Sequence, residues 1–424
     1  MLTLLGAGQG QNSALVPSLS FDWLNTNSLT SAEGYPLTFT RASQATYWGS
    51  DGLLKTATTN EARFEYDPNT LVKRGLKIEP QVTNLLLRSE DYVNAYWLKT
   101  DITASLTTET LGIRGNTNEA TKIQEGSAGT AVLSNTAVTT TASAIYACSV
   151  VIKRGNTDWI CLSLLDSGGT NGGRAWFNLN TRVKGSTATV GSGASIFSDV
   201  EILQNGFARV FIRCTISTST SMVASLFSAS ANSNTTRVAN AFYYLNGSQI
   251  ELGQFPTSYI QTTTATVTRS SDVATMATGV WYNASEGSIL ADFLNYSVLN
   301  PASKQFYYSL DEGVGSNKIA SSLFSQVEFF VVAGGVTQSN ISSSVVTPSQ
   351  LTRYKLATSY KQNDFYFGIN NIQIGVSSSG NTPTGITTLR IGHDNASRFS
   401  HGCFASFRYF NRKLPNATLQ ALTV

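Results

Sequence analysis

The amino-acid sequence predicts an all-β protein made of tandem antiparallel β-sandwiches. Charged residues are only 13% of the 424 residues, against roughly 25% in an average soluble protein. Serine, threonine, asparagine and glycine fill the difference. They alternate with apolar residues, as in strands that have one wet face and one buried face. Short apolar runs separated by turn-forming residues favour sandwiches or jelly rolls over helical folds.

The N-terminal quarter contains two kinds of segment. Residues 1–20 are uncharged and rich in glycine, and we expect either a segment that attaches to another protein or a simple disordered tail. Residues 21–97 are typical of short strands in a small β-rich module. Asp51-Gly52, between the predicted strands Ala45–Trp48 and Leu53–Lys55, is a two-residue hairpin signal.

Residues 98–269 carry the clearest strand pattern. The predicted strands are Ala144–Lys153, Asp158–Leu165, Gly173–Leu179, Phe207–Thr215, Met222–Ala229 and Phe242–Leu252. Their number and spacing predict one jelly roll.

Residues 270–424 predict a second sandwich. Asn370-Asn371 falls between two strand-like runs and is expected to form a hairpin turn. Near the end of the chain, Asn416 is expected to cap a last helical turn.

Motif residues are spread over the segment between Phe39 and Glu90. They are Phe39-Thr40-Arg41-Ala42-Ser43, Ala45-Thr46, Asp51-Gly52, Asn60, Arg63, Asp67-Pro68, Gly75-Leu76, Ile78-Glu79, Thr83-Asn84-Leu85-Leu86 and Ser89-Glu90. With these residues the segment resembles an opening module of tail fibres, spikes and other virion surface proteins of bacteriophages. We expect buried, hydrogen-bonded roles for Arg41, Glu79 and Asn84, because a platform of strands and turns needs its polar backbone groups satisfied.

Two further sets of residues carry resemblances to known folds. In the middle segment they are Tyr146, Ser149, Lys153, Asn205-Gly206-Phe207, Arg209, Gln249, Glu251-Leu252-Gly253 and Pro256-Thr257-Ser258-Tyr259-Ile260. In the last segment they are Tyr360, Asn363-Asp364-Phe365, Gly368, Asn370-Asn371, Leu389-Arg390-Ile391-Gly392, Gly402, Phe407 and Tyr409-Phe410-Asn411-Arg412-Lys413-Leu414. The first set resembles jelly-roll modules that bind carbohydrate, and the second resembles laminin-G or concanavalin-like lectin sandwiches.

Strand phase selects a candidate ligand-binding face in the jelly roll. Successive side chains of a strand point to opposite sides of its sheet. If the aliphatic side lines the core, then Trp159, Trp176, Arg174 and Asn178 point away from it. Aromatic rings stack on the apolar face of a sugar, while Arg and Asn bond its hydroxyls or carboxylates. We take these four as the candidate ligand-binding residues. The alternatives are that loops cover the rings or that a second subunit buries the face.

The sequence predicts no catalytic, metal or cofactor site. His393 and His401 lie outside the known catalytic and metal-binding motifs, and His393 is expected in a surface loop. Calcium ligands at Asp364, Asp394 or Asn395 are less expected than ordinary turn roles. No CxxC spacing occurs, and we expect small buried side chains, with a Cys148–Cys161 bridge as the alternative, for Cys148, Cys161, Cys214 and Cys403.

Charge and hydropathy exclude two classes of partner. The net charge is +3 without a basic cluster, so nucleic acid is not expected. The sequence has no run of about 18 apolar residues, so no membrane-spanning helix is expected.

The resemblances imply a virion protein that is assembled in the host cytoplasm and attached to other virion proteins through its N-terminus. Its expected partner is a host surface polysaccharide, and a homotrimer is expected to strengthen weak contacts. One alternative is a capsid decoration or baseplate protein without a host ligand. A glycan depolymerase is the other, because two carboxylates suffice for that chemistry, although the sequence lacks the fixed-period repeat of a solenoid.

Overall fold

The computed structural model describes residues 15–296, 304–343, 351–395 and 398–424. Nearly all regular structure in these ranges is antiparallel strand, so the predicted all-β class with tandem sandwiches is confirmed. The expected attachment segment falls largely on residues 1–14, which lie outside the described residues. Within the described part, no helix combines the length and apolar character that crossing a bilayer requires.

The N-terminal part forms short strands. They are β1 Leu19–Asp22, β2 Thr38–Thr40, β3 Ala45–Trp48, β4 Leu54–Ala57, β5 Phe64–Tyr66, β6 Lys73–Ile78 and β7 Val82–Asn84.

The middle part forms longer strands and one 3-10 turn at Gln204–Gly206. The strands are β8 Trp97–Thr100, β9 Ile102–Leu106, β10 Thr121–Glu125, β11 Val132–Asn135, β12 Val138–Thr139, β13 Ile145–Arg154, β14 Trp159–Leu165, β15 Gly172–Asn178, β16 Val183–Val190, β17 Ala194–Ile202, β18 Phe207–Thr215, β19 Ser221–Ala229 and β20 Phe242–Leu252. Every strand predicted in this part is present, with each end within one residue of its predicted position.

The last part completes the chain with strands and one short helix. They are β21 Val267–Arg269, β22 Val273–Ala277, β23 Glu286–Asn295, β24 Gln305–Asp311, β25 Lys318–Leu323, β26 Val327–Ala333, β27 Val336–Ser342, β28 Thr352–Lys361, β29 Phe365–Ile369, β30 Ile372–Ser377, β31 Thr388–Ile391, β32 Gly402–Phe410 and α1 Asn416–Ala421.

Strands β8–β20 form what we call the middle sandwich. Its inner sheet has the order β17-β18-β13-β20-β10-β9, and its outer sheet has the order β16-β15-β14-β19-β11-β8 with β12 beside β19. The two sheets enclose an apolar core to which Ile160, Leu162 and Phe177 of the outer sheet and Val150 and Ile212 of the inner sheet contribute. Alternation along each strand places these side chains on one face and leaves the opposite faces for other contacts.

The second sandwich, which we call the C-terminal sandwich, is built from two distant parts of the chain. One sheet has the order β30-β29-β28-β23-β32-β6-β5 with β1 beside β32, and the other has the order β2-β22-β31-β24-β25-β26-β27. Residues from both parts share its core, for example Phe21 and Leu76 with Phe293 and Phe407. The segment expected as a separate module, residues 21–97, therefore supplies strands to both sheets. The domain limits derived from the sequence stay a prediction.

The chain enters and leaves the middle sandwich at one place. Strand β7 pairs antiparallel with β21, with Asn84 opposite Val267. The middle sandwich is thus an insertion whose two ends lie side by side.

Two predicted hairpins form, but only one has the predicted loop. Asn370 and Asn371 adopt φ values of 47° and 63° between β29 and β30, as a two-residue type I′ turn requires, so this prediction is confirmed. The hairpin of β3 and β4 also forms, with Gly52 at φ 72°. However, the predicted two-residue loop is wrong: the loop is Gly49–Leu53, closed by a hydrogen bond from Gly49 N to Leu53 O.

Two predictions about polar residues near the C-terminus are wrong. Asn416 is the first residue of α1 and not its cap, since Pro415 occupies the capping position. His393 is buried and not in a surface loop, because its ring stacks on Phe399. Nε2 of His393 accepts a hydrogen bond from the Ala274 amide at 3.2 Å, and burial lowers the pKa of this histidine.

The residues expected to be buried in the core are found there. Trp23, Trp48 and Trp97 are buried. The four cysteines are also buried, and all are free thiols, so the alternative of a Cys148–Cys161 bridge is wrong.

Candidate functional site

The predicted strand phase in the outer sheet is confirmed. Ile160, Leu162 and Phe177 belong to the core of the middle sandwich. Trp159 and Trp176 point to the opposite side, where they form a separate apolar cluster. The outward face of the outer sheet is therefore the one that the sequence analysis predicted as the candidate ligand-binding face.

A loop covers one part of this outward face. Residues 230–238, which we call the covering loop, follow β19 and lie over Trp176, whose indole Nε1 donates to Asn234 O at 2.6 Å. Arg237 of this loop places its guanidinium 3.4 Å from the ring centroid of Phe227. Trp176 is only 3% exposed as a result. One of the alternatives for this face, coverage by a loop, therefore holds for Trp176.

The other two candidates on the covered side are half-buried. Trp159 packs beside Gly185, where an added Cβ would meet its ring at 2.8 Å. Asn178 directs its side-chain oxygen to Thr181 N at 2.9 Å and so stabilises the turn after β15. Both residues lie on the predicted face, and their role in ligand binding stays a prediction.

Arg174 lies two positions before Trp176 on β15 and is half-buried. The strand registers place Arg174 opposite Ser163, Ser163 opposite Ser225, Ser225 opposite Ser134, and Ser134 opposite Leu98. These five residues form a row across the outer sheet, which we call the Arg174 row. Leu98 is 56% exposed at its far end.

The serines of this row hold one another in place. Ser134 Oγ and Ser225 Oγ are 2.8 Å apart, and Ser163 Oγ donates to Ser225 O at 3.3 Å. The sequence placed Ser163 on the outward face but gave no indication of Ser225 or Ser134, because strand registers set their distance from Arg174. Ser134 and Ser225 are half-buried, whereas Ser163, directly beside Arg174, is only 2% exposed. The row thus combines two partly accessible hydroxyl groups with a cationic side chain.

Arg174 is not neutralised by its surroundings. Among the described residues it makes no hydrogen bond or ion pair, and its Nε is buried without a partner. Cys161 lies near Arg174, but burial raises the pKa of the Cys161 thiol to about 12 even though Arg174 and Arg237 act in the opposite direction. The thiol therefore stays neutral and does not balance the guanidinium. The Nη groups of Arg174 are not enclosed in this way, so a carboxylate or another anion that pairs with them would balance the charge.

A second concentration of polar side chains surrounds a cavity of about 70 Å³ between the two sandwiches. Glu79 is the centre of this group: its carboxylate lies 2.8 Å from Arg63 Nη1 and 3.3 Å from His401 Nε2. It also accepts hydrogen bonds from the amide and the hydroxyl of Ser258, at 2.8 and 2.7 Å. Burial alone would raise the pKa of Glu79, but Arg269, Lys77 and Arg63 hold it well below its usual range.

Other residues of the N-terminal motif are also hydrogen-bonded or ion-paired in this region. Arg41 donates to Asp272 at 3.1 Å, and Arg63 also pairs with Asp272. Asn84 donates to Ile260 O at 2.8 Å. The buried, hydrogen-bonded roles expected for Arg41, Glu79 and Asn84 are confirmed. Glu79 and Arg63 both bond to Ser258, which follows the last strand of the middle sandwich, and Arg74 pairs with Glu201 of that sandwich at 3.2 Å. These contacts join the middle sandwich to the C-terminal sandwich.

The residues considered for calcium have protein partners. Asp364 pairs with Lys413 at 3.0 Å, and Asp394 pairs with Arg398. Within the described ranges, no group of three or more His, Cys, Asp or Glu side chains gathers as a metal site would require.

Comparisons with known proteins gave structural matches only. No family model matches the sequence, and the search of curated proteins found no match. Among solved structures, the chain is similar to the CBM40 of a Ruminococcus gnavus IT-sialidase bound to alpha2,3 sialyllactose. This match has 12% identity and a TM-score of 0.30, and covers 33% of this chain and 83% of that one.

Two other structural matches are of the same extent. Domain 4 of a GH43 extracellular arabinanase from Geobacillus stearothermophilus, in complex with arabinotriose, matches with 9% identity and a TM-score of 0.29, over 40% of this chain and 82% of that one. A heptameric SAP-like pentraxin from Limulus polyphemus matches with 8% identity and a TM-score of 0.28, over 33% and 70%. Each of these matches involves no more than 40% of the chain.

Proposed function

We propose that this chain is a glycan-binding protein and that the Arg174 row of the outer sheet holds the glycan. The observation that supports this most strongly is the unpaired guanidinium of Arg174 beside a line of serine hydroxyls. Hydroxyl groups serve as both donors and acceptors, as sugar hydroxyls do. An arginine without a protein partner adds a strong site for a carboxylate.

The ligand class follows from the charge of this surface. A uronic acid or another sugar acid would place its carboxylate on Arg174 and its ring over Ser163 and Ser225. The exposed side chain of Leu98 adds apolar contact at the end of the row. The proposed ligand is therefore an acidic surface polysaccharide. Catalysis has no part in this proposal.

The row is a shallow surface, so a single contact is weak. Repeated copies of the same contact raise the overall affinity through effective concentration. We propose a homotrimer for this reason and because of the phage resemblance of the segment Phe39–Glu90. On the same basis the protein is a virion component that is assembled in the host cytoplasm, is attached to other virion proteins through its N-terminus, and serves host attachment.

The binding proposal is tested with the full chain on a panel of immobilised acidic and neutral bacterial polysaccharides. The best acidic polysaccharide is then titrated against wild type, Arg174→Met and Arg154→Met. Arg154 is the matched control, since it is an exposed arginine of the same sandwich that pairs with Asp158. We expect Arg174→Met to weaken binding roughly tenfold or more and Arg154→Met to leave it unchanged. Retention of no acidic polysaccharide by the folded protein, or equal affinity of all three proteins, contradicts the proposal.

The virion proposal has its own test. Antibodies against the middle sandwich, applied to purified phage particles from the same source, should decorate a defined position in electron micrographs. Undecorated particles that also lack the chain by mass spectrometry would contradict this part while leaving glycan binding open. Sedimentation equilibrium of the full chain tests the trimer separately, and a monomer at micromolar concentration would contradict it.

A further inference from the structure

A groove of about 700 Å³ lies in the N-terminal part of the chain, on the outside of the C-terminal sandwich. Its walls are the edge strand β5, the hairpin of β3 and β4, and residues 27–29. A volume of several hundred cubic ångströms is typical of sites for small ligands and short oligomers. None of the residues selected from the sequence as ligand-binding lines this groove.

Three aromatic rings line the groove. Tyr47 comes from β3, and Phe64 and Tyr66 come from β5; each of the three is half-buried. Phe64 and Tyr66 are two positions apart on one strand, so they lie on the same side, about 7 Å apart. Rings held by their strands with one part in solvent form a platform for the apolar faces of successive sugar rings.

Two lysines balance the two carboxylates of the groove. One of them is Lys73, whose Nζ lies 5.5 Å from the ring centroid of Phe64 and 6.0 Å from that of Tyr66. Lys55 Nζ lies 2.6 Å from Asp51 Oδ2, and Glu61 accepts hydrogen bonds from the amide and the hydroxyl of Thr58, at 2.7 and 3.0 Å. These carboxylates retain lone pairs that accept hydrogen bonds from sugar hydroxyls, and Asn27 adds an amide at the rim. The groove therefore differs from the Arg174 row, which presents an unpaired cation.

We propose that this groove is a second saccharide site, selective for a neutral oligosaccharide. Aromatic platforms favour the sugar ring, and the hydrogen-bonding groups favour its hydroxyls. Both lysines already have protein partners, since Lys55 pairs with Asp51 and Lys73 donates to Thr26 O, so neither favours an anionic chain. A peptide or another protein segment is excluded as the ligand if only sugars bind. This inference goes beyond the first proposal and does not depend on it, because the two surfaces share no residue.

The test uses soluble neutral hexasaccharides of glucose, galactose and mannose, and one uronic acid hexamer, titrated by calorimetry against the full chain. Variants Tyr47→Ala and Tyr66→Ala remove rings, and Tyr47→Phe keeps the ring as the conservative variant. Asn27→Trp fills the groove without removing a buried contact. The matched control is Tyr35→Ala, which truncates a half-buried tyrosine outside the groove.

We expect at least one neutral hexamer to bind, with affinity lowered roughly tenfold by Tyr47→Ala, Tyr66→Ala and Asn27→Trp and unchanged by Tyr47→Phe, Tyr35→Ala and Arg174→Met. The proposal is overturned if no neutral hexamer binds wild type at millimolar concentration, if only the uronic acid binds, or if Asn27→Trp leaves binding intact. Loss of binding in Arg174→Met alone would place the neutral sugar on the Arg174 row and would also overturn it.

Discussion

Trp176 is held from two sides in the outer sheet. Its ring packs with Cys161 and Phe227, and its indole N–H bonds to the covering loop. We expect Trp176→Ala to lower the free energy of unfolding by about 3–5 kcal/mol, since it removes a large buried side chain and a hydrogen bond. Trp159→Ala, at a half-buried position, should cost clearly less. Urea denaturation measures both, and equal costs for the two variants would show that Trp176 is not buried in solution.

Glu251 gives the protein a predictable pH dependence. Burial raises the pKa of Glu251 to about 7, above the value of roughly 4.3 in an unfolded chain. A carboxyl with a raised pKa in the folded state contributes its full stability below the unfolded pKa, and this contribution is lost as pH rises through about 7. Linkage sets the loss at about 4 kcal/mol.

The measurement for Glu251 is the unfolding free energy of wild type and Glu251→Gln between pH 5 and 8. We expect the variant to gain stability relative to wild type as pH rises, because it has no proton to lose. The same substitution at the exposed Glu33 is the control for the chemical change. A difference between Glu251→Gln and wild type that is constant with pH would contradict the raised pKa.

At the scale of elements, the covering loop buries one part of the outward face of the outer sheet. Asn232 accepts hydrogen bonds from the amide and the hydroxyl of Ser186, both at 2.9 Å, and Arg237 donates to Ala131 O at 2.7 Å. These contacts fasten the loop to the neighbouring strands. The loop thereby covers the aromatic cluster around Trp176.

Loosening this loop should expose Trp176. We expect the double variant Asn232→Ala and Arg237→Ala to increase acrylamide quenching of tryptophan fluorescence and to shift the emission to longer wavelength. The same comparison in a Trp176→Phe background should show no change, which assigns the signal to Trp176. Thr235→Ala, at an exposed loop position, is the matched control. Quenching that does not change in the double variant would mean that other contacts hold the loop.

The strands of the outer sheet show how far sequence analysis reaches. Alternation predicted the position of each strand and the side on which Ile160 and Trp159 lie, because both follow from residues close together in the chain. It left open whether a loop covers the rings, because the position of the covering loop depends on contacts between Asn232 and Ser186, 46 residues apart. Phase tells which side of a sheet a residue faces, but the exposure of that residue depends on distant segments.

At the scale of the whole molecule, the first and last parts of the chain share sheets. β1, β5 and β6 join the sheet of β32, and β2 joins the sheet of β22. The sequence indicated strands in each part, but it gave no indication that the first and last parts share sheets, since pairing between strands so distant in the chain, such as Thr38 with Thr275 and Leu19 with Tyr409, leaves no local pattern. The phase of the strands predicted the outward face that carries Arg174, whereas the groove at Tyr47 was not predicted because β3 and β5 meet only in the fold.

This arrangement predicts which fragments fold. Residues 270–424 alone lack β1, β2, β5 and β6, and their absence exposes core residues such as Phe407, so we expect insoluble or unfolded protein. A chain that joins residues 15–84 to 267–424 through Asn-Gly should fold, because β7 and β21 already pair antiparallel and Asn-Gly closes a two-residue hairpin. Circular dichroism and gel filtration compare the two. A folded 270–424 fragment, or an unfolded joined chain, would contradict the shared sandwich.

The central claim is that the Arg174 row holds an acidic glycan. Crystals of the full chain soaked with an acidic oligosaccharide test it most directly. The account predicts difference density on the outer sheet, with a sugar carboxylate within hydrogen-bond distance of the Arg174 guanidinium and a ring over Ser163 and Ser225. Sugar density elsewhere on the chain, with the Arg174 row empty, would contradict it.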